Sequence, residues 1–219
     1  MGAAAHLGIR PGEYDKIIAT LVPHYLELLD AAADAVDVIA RNTPAVVDLG
    51  TGCGALAQRI LKVRPKARLI GIDADASMLA TAAKRLRGIQ TIEDDFERAR
   101  IPRCDVVSGS LALHHIPTGG RKEALYKRCF TALRPGGMVV SADCYLANSA
   151  VVQRHHRQSW ISHLKRTYSP KKSENFLRTW AKEDVYFTLD REVELLGDAG
   201  FDVEVTWRKD SFAVIVGLK

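Results

Sequence analysis

The chain is poor in the residues that build disulfide scaffolds and zinc modules. It has four cysteines in 219 residues, Cys53, Cys104, Cys129 and Cys144, and no two of them form a C-x-x-C pair. That usage excludes a disulfide framework and a structural zinc module, and it fits free thiols in a reducing cytoplasm. The histidines and cysteines lack metal-ligand spacing, so no metal is expected. No apolar run approaches the ~18 residues of a membrane span, so no membrane partner is expected. The start, MGAAAHLGIRPGEYDK, lacks a charged region followed by a long apolar core, and no signal peptide is expected. His6 stands where a myristoylation pattern needs Ser or Thr. Internal repeats and low-complexity tracts are also absent. The net charge is only +5, small enough for an ordinary solvated surface.

What is present is an alternation of short apolar runs with helical patterns. AVVDLG (45–50), ARLIGID (67–73), IQTIEDDF, CDVVSGS (104–110) and GMVVSADC (137–144) read as strands. Between them, GALAQRILKVRP, ASMLATAAKRL (76–86, with Asp75 as N-cap) and GRKEALYKRCFTAL (120–133, ended by RPGG) read as helices. DREVELLGDAG is a further helix, with Asp190 as expected cap and Gly200 as C′ residue. FDVEVTWR (201–208) and FAVIVGLK (212–219), joined by the short KDS, read as an antiparallel hairpin. The expected fold class is α/β: a mostly parallel sheet with helices on both faces, ligands at the carboxyl ends of the strands, and an antiparallel finish. One domain over 1–219 is expected, with a helical N-terminal segment (1–43), a core (44–146), an insertion (147–187) and a final helix plus hairpin (188–219).

The chemistry gathers at the strand ends. VVDLGTGCG makes a tight glycine turn from strand to helix, which lets a ligand approach the backbone and the N–H groups of a helix start. It lacks the Lys-Ser/Thr pair of a P-loop, and its G-x-G-x-G is tighter than the dinucleotide spacing. Asp73 lies about twenty residues beyond the glycines, at the end of the second strand, where an acid accepts hydrogen bonds from ribose hydroxyls. EDDF ends the third strand with acids beside an apolar ring, which suits adenine. A nucleoside ligand is implied, with no demand for a pyrophosphate.

In order and spacing, VVDLGTGCG, LIGIDADASML, IEDDF, CDVVSGSLALHHI and LRPGGMVVSAD resemble the motifs of class I S-adenosylmethionine-dependent methyltransferases. The resemblance implies a three-layer αβα Rossmann-like fold whose seven-stranded sheet ends in an antiparallel strand. It implies S-adenosylmethionine as cofactor and S-adenosylhomocysteine as product. By the same resemblance, Gly50, Thr51, Gly52 and Gly54 form the turn beneath the methionine part, and Asp48 holds that turn or reaches the amino group. Asp73 binds the ribose, with Ala74 and Met78 near the adenosine. Asp95 and Phe96 face the adenine, with Asp94 the rival to Asp95. Ser110 and Leu111 flank the sulfonium. The N-terminal segment folds over the cofactor in related enzymes, bringing in Tyr14 and making Tyr25, at the methionine end, a candidate catalytic residue.

His114 and His115 fall just past the fourth strand, at the mouth of the expected site. A histidine has the right pKa to take an acceptor's proton, and His115 is the expected base. Residues 147–187 are the acceptor-side segment. Seven cations stand against the single acid Glu174 over residues 154–178; Trp160, on the face expected to pack, and Arg178 are the candidate acceptor-binding residues. This pattern fits a small, anionic acceptor held by Arg or Lys, with RNA on the basic surface as an alternative. The C-terminal half also resembles carboxy-S-adenosylmethionine synthase, in which Arg178 would fall near the arginine that holds the added carboxylate. The turn and LALHHI depart from that family. A cofactor-binding regulatory subunit is the non-enzyme alternative. A monomer or homodimer is expected.

Overall fold

The computed structural model describes residues 13–219; the expectations for the extreme N-terminus, and for the segment before residue 13, lie outside the described residues. In chain order the elements are α1 (Tyr14–Leu21), α2 (Tyr25–Asp37), β1 (Ala45–Leu49), α3 (Ala55–Val63), β2 (Arg68–Asp73), α4 (Ala76–Arg85), β3 (Gln90–Glu93) and β4 (Cys104–Ser110). A 3-10 turn (Leu113–His115) precedes α5 (Gly119–Ala132), β5 (Leu133–Cys144), α6 (Ala150–Leu164), α7 (Pro170–Glu183), α8 (Leu189–Asp198), β6 (Asp202–Lys209) and β7 (Phe212–Leu218).

The strands form one seven-stranded sheet in the order β3-β2-β1-β4-β5-β7-β6. All pairings among β1 to β5 are parallel, and β7 runs antiparallel to both β5 and β6. Strand order reverses between β1 and β4, which opens the crevice where open α/β sheets bind ligands. β1 is buried at every position because helices cover both faces. Its alternation sends Val46 into one apolar cluster, with Leu28, Ile60 and Ile161, and Val47 into the other, with Leu125, Tyr126 and Leu195. The edge strand β6 is mostly exposed and charged, which discourages pairing with another sheet.

Three boundaries differ from expectation. α5 ends at Ala132, just before RPGG as expected, but β5 begins at Leu133, four residues early, and bulges, its register to β4 breaking between Cys104 and Val106. A Cβ at Gly137 would lie 2.8 Å from the carbonyl oxygens of Arg134 and Asp105, so only glycine fits the bulge. The cap of α8 is Thr188, whose hydroxyl accepts from the amide of Arg191, and not Asp190. Asp75 does cap α4, accepting from the amides of Ser77 and Met78. β3 stops at Glu93, so Asp94 and Asp95 lie beyond the strand and the alternation of its faces does not govern them.

The insertion folds into α6 and α7 and packs on the N-terminal helices. Trp160 donates its indole N–H to the carbonyl of Leu21 at 2.8 Å, and its ring meets Phe212 edge-on. The hydroxyls of Tyr168 and Thr20 are 2.7 Å apart. No helix among the described residues is long and apolar enough to cross a membrane.

Candidate active site

The glycine turn after β1 is built by alternating left-handed backbone. Gly50, Gly52 and Gly54 have φ of 62°, 53° and 80°. A Cβ on Gly50 would stand 2.6 Å from the Cβ of Ala112, so the turn presses against the end of β4. From below, Thr51 donates its hydroxyl to Asp48 at 2.7 Å, and Ser108 donates to the other oxygen of the same carboxylate at 2.7 Å. Burial pushes the Asp48 carboxyl up to about 6, against the lowering effect of the Ser108 and Thr51 hydroxyls.

Asp73 ties the turn to β2. One oxygen accepts the amide of Gly52 at 2.8 Å and the other the amide of Asp75 at 2.9 Å. Each oxygen keeps a lone pair for a ligand. Burial raises this carboxyl, opposed by the same amide donors. Beyond β3, Asp94 accepts the amide of Asp95 at 2.8 Å, and Asp95 accepts the amide of Glu97 at 2.9 Å.

Two cavities open at these strand ends. The larger, of about 250 Å³, is bounded by the turn (Gly50, Thr51, Gly52), by Asp73 and Ala74, by Asp95 and Phe96, and by Ser110 and Leu111. Tyr14 and Tyr25 close it from the N-terminal helices. The smaller, of about 60 Å³, is walled by Ile18, Leu21 and Val22, by Trp160 and Trp180, and by Phe212, with His114, Asp184 and Tyr186 on one side. Tyr14, Leu111 and His115 border both. Leu111 has φ of 48°, a left-handed conformation rare for its type, and its amide donates to Ala142 at 2.9 Å.

Most expected site residues converge here, and five do not. Asp48 sits behind the turn, 2% exposed, and holds it without reaching the cavity. A Cβ on Gly54 would meet Leu86 at 2.8 Å and Ala82 at 3.3 Å, so Gly54 lets α3 pack against α4. Met78 is 1% exposed and belongs to the core, its methyl group beneath Gly52. Of the two rivals, Asp95 borders the large cavity and Asp94 does not. Arg178 lies on the outer side of α7, bonded to Asn175 at 2.6 Å and bordering neither cavity. Cys53 is at the turn, its thiol donating to Asp15 at 3.0 Å; burial pushes it up to about 12, which leaves it unreactive.

The histidine pair acquires partners that no local pattern announced. His114 Nδ1 is 2.6 Å from Asp143, which also accepts the amides of Leu113 and His114. Burial opposes charge on His114, but Asp143 and Asp184 prevail and raise its pKa. His115 Nδ1 is 3.1 Å from Asp184 Oδ1, and the other oxygen of Asp184 accepts the Tyr186 hydroxyl at 2.6 Å. Burial would raise the Asp184 carboxyl; His115, His114 and Tyr186 hold it below the usual range. The amide of Val185 donates to the carbonyl of His114 at 2.9 Å and fastens the end of the insertion to the histidine turn.

Residues 46–137 match the family described as a methyltransferase domain. The chain is 21% identical over 219 residues to a carboxy-S-adenosyl-L-methionine synthase of Nautilia profundicola, covering 94% of this chain and 90% of that protein. Its fold superposes on a Thermotoga maritima S-adenosylmethionine-dependent methyltransferase, titled a possible histamine N-methyltransferase, with a TM-score of 0.65 at 17% identity over 95% of both chains. It also superposes on human N-acetylserotonin methyltransferase in complex with S-adenosylmethionine, with a TM-score of 0.60 at 20% identity. That match covers 87% of this chain, which spans about half (51%) of the human enzyme's length. The glycine turn and the acid-ended strands lie inside the matched core: residues 46–137 carry a methyltransferase domain, on the fold of S-adenosylmethionine-dependent methyltransferases, with S-adenosylmethionine as its cofactor.

Proposed function

We propose that this protein methylates a small, uncharged, largely apolar acceptor seated in the cavity between α1 and the insertion. One observation carries the reading: the cavity that adjoins the cofactor cavity is walled by aliphatic and aromatic side chains, and among the described residues no Lys or Arg borders either cavity. An anionic acceptor would lose its hydration there with no Lys or Arg side chain to replace it. The volume, about 60 Å³, corresponds to only about four to six water positions, so the occupant is compact.

The residues fit the cofactor. The left-handed turn removes side chains where the methionine end would lie, Asp73 offers lone pairs to ribose hydroxyls, and Asp95 with Phe96 offers a carboxylate and a ring face to adenine. When bound, S-adenosylmethionine supplies a methyl carbon that an acceptor lone pair takes as the C–S electron pair returns to sulfur. Tyr14 and Tyr25 exclude water above that point. Leu111, held in its strained conformation, forms the apolar partition at which acceptor and sulfonium meet. Holding both partners there supplies the orientation on which an in-line displacement depends. His115 stands on the same partition, where an acceptor's proton would leave. All four cysteines are free and buried, which supports a reducing cytoplasm as the working compartment.

The synthase reading is weaker, because Arg178 faces outward and an added carboxylate would find no cation at the site. The RNA reading is weaker too. The cations of 154–178 lie apart from both cavities, on α6, α7 and the turn between them, and Arg157 is paired with Glu174 at 2.5 Å. The test is methyl transfer from trideuteromethyl-labelled S-adenosylmethionine to matched panels of small phenols, thiols, N-heterocycles and their carboxylated counterparts, read by mass spectrometry. The expected result is labelling of uncharged ring compounds. Labelling confined to the carboxylated members, or a cofactor heavier by one carboxylate, would overturn the proposal.

A further inference from the structure

One polar cluster stands in the wall of the small cavity. The ring nitrogens of His114 and His115 and a carboxylate oxygen of Asp184 all lie within 4.8 Å of one another. His115 Nδ1 is 3.1 Å and His114 Nε2 is 3.9 Å from Asp184 Oδ1. Three ligands on a tetrahedral ion at bond lengths near 2.1 Å stand about 3.4 Å apart, between those two values. The Asp184 side chain is 4% exposed, and its Oδ1 is turned toward both histidines.

The outer contacts are those of a metal centre. His114 turns its Nδ1 to Asp143 Oδ1 at 2.6 Å, which leaves Nε2 facing Asp184. Asp184 turns its Oδ2 to the Tyr186 hydroxyl at 2.6 Å, which leaves Oδ1 facing the histidines. Such second partners fix ring orientation and ligand direction around bound ions. All three groups border the small cavity, so an ion there would keep an open position toward the acceptor.

We infer that His114, His115 and Asp184 form a binding site for one divalent transition-metal ion of the zinc class. Two imidazoles and one carboxylate suit Zn²⁺, Co²⁺ or Fe²⁺ and do not suit Mg²⁺ or Ca²⁺, which prefer oxygen cages. An acceptor hydroxyl or thiol reaching the open position would lose its proton to solvent on binding and present its lone pair to the methyl carbon; the ion changes no oxidation state. That consequence rests on the methyl-transfer reading, whereas binding of the ion does not. The pattern escaped sequence reading because the third ligand comes from the far end of the insertion.

The test uses the purified full chain, stripped with chelator, and Zn²⁺ alone in competition with a chromophoric chelator, followed by visible spectroscopy of the Co²⁺ form. The expected result is one equivalent bound, with the absorption of a four-coordinate ion. His115→Ala and Asp184→Asn should each weaken Zn²⁺ at least tenfold, and Tyr186→Phe should weaken it less. His155→Ala, on α6 away from the cavities, should leave the affinity unchanged. Retained S-adenosylmethionine binding shows that each variant is folded. Zn²⁺ bound no more tightly by the wild type than by the His115→Ala/Asp184→Asn double variant would overturn the inference and leave methyl transfer standing. Tight Zn²⁺ with no labelled acceptor would sustain the metal site and defeat the methyl-transfer proposal.

Discussion

The amide of Gly52 donates to the carboxylate of Asp73 at 2.8 Å, so the residue that shapes the turn after β1 is locked to the residue that ends β2. The glycine gives the turn its left-handed form, and the carboxylate keeps that form while still presenting lone pairs to a ligand. Asp73→Ala removes both functions. Affinity for S-adenosylmethionine in calorimetry should fall at least tenfold, which is about 1.4 kcal/mol, and the melting temperature should fall too, because the amides of Gly52 and Asp75 lose their acceptor. Unchanged affinity would remove Asp73 from the ribose site.

Gly50→Ala should destabilise the fold by about 2–3 kcal/mol, because it combines a left-handed conformation with a Cβ 2.6 Å from Ala112. Gly120→Ala is the matched control. It lies in the first turn of α5 with nothing within 4 Å of its Cβ, and it should be neutral or stabilising by up to about 1 kcal/mol. Urea unfolding of the two variants should shift in opposite directions or in one only.

The raised carboxyl of Asp48 gives a pH signature. Its folded value, about 6, lies above the ordinary 3.8, so the group favours the folded state fully below pH ~4 and loses that contribution as pH rises through 6. Asp48→Asn cannot ionise, and the Thr51 and Ser108 hydroxyls can turn to meet its amide. The stability of Asp48→Asn relative to wild type should therefore rise between pH 4 and 6 and then level off, a change on the order of 3 kcal/mol. Denaturant melts at four pH values measure it; a flat difference would show that Asp48 is ionised throughout.

Asp15 of α1 bonds to Arg85 at 2.5 Å and accepts the Cys53 thiol at 3.0 Å, latching the N-terminal helix to α4 and to the glycine turn. Tyr14 beside it covers the large cavity. Asp15→Ala should speed release of S-adenosylhomocysteine severalfold in stopped-flow displacement, since the cover opens more often. An equal release rate would make α1 a fixed wall.

His115→Ala should cost more than tenfold in methyl transfer while cofactor affinity stays within about threefold, because His115 lies on the partition toward the acceptor. Arg178→Ala should leave both unchanged, its side chain being bonded to Asn175 on the outer surface. Steady-state rates with the labelled acceptor decide both. A large effect at Arg178 would bring back a carboxylate-holding role.

The sequence alone determined the strands, most helices and the hairpin that turns β7 antiparallel, because these follow from apolar periodicity, caps and turns spanning a few residues. It also determined the glycine turn and Asp73, where spacing along the chain is the signal. Other placements were decided by packing between distant segments. β3 ends one residue before Asp94, and that leaves Asp95 at the cavity. Gly54 and Met78 have motif positions but meet α4 and the core. The basic insertion looked like an anion site, yet its tryptophans turn inward against α1 and β7 and its arginines turn outward. Asp143, Asp184 and Tyr186 joined the histidine pair only because β5 and the end of the insertion converge on one turn. Local periodicity carries no information about which distant carboxylate a histidine will face; that is fixed when the layers close and each buried polar atom must find its partner.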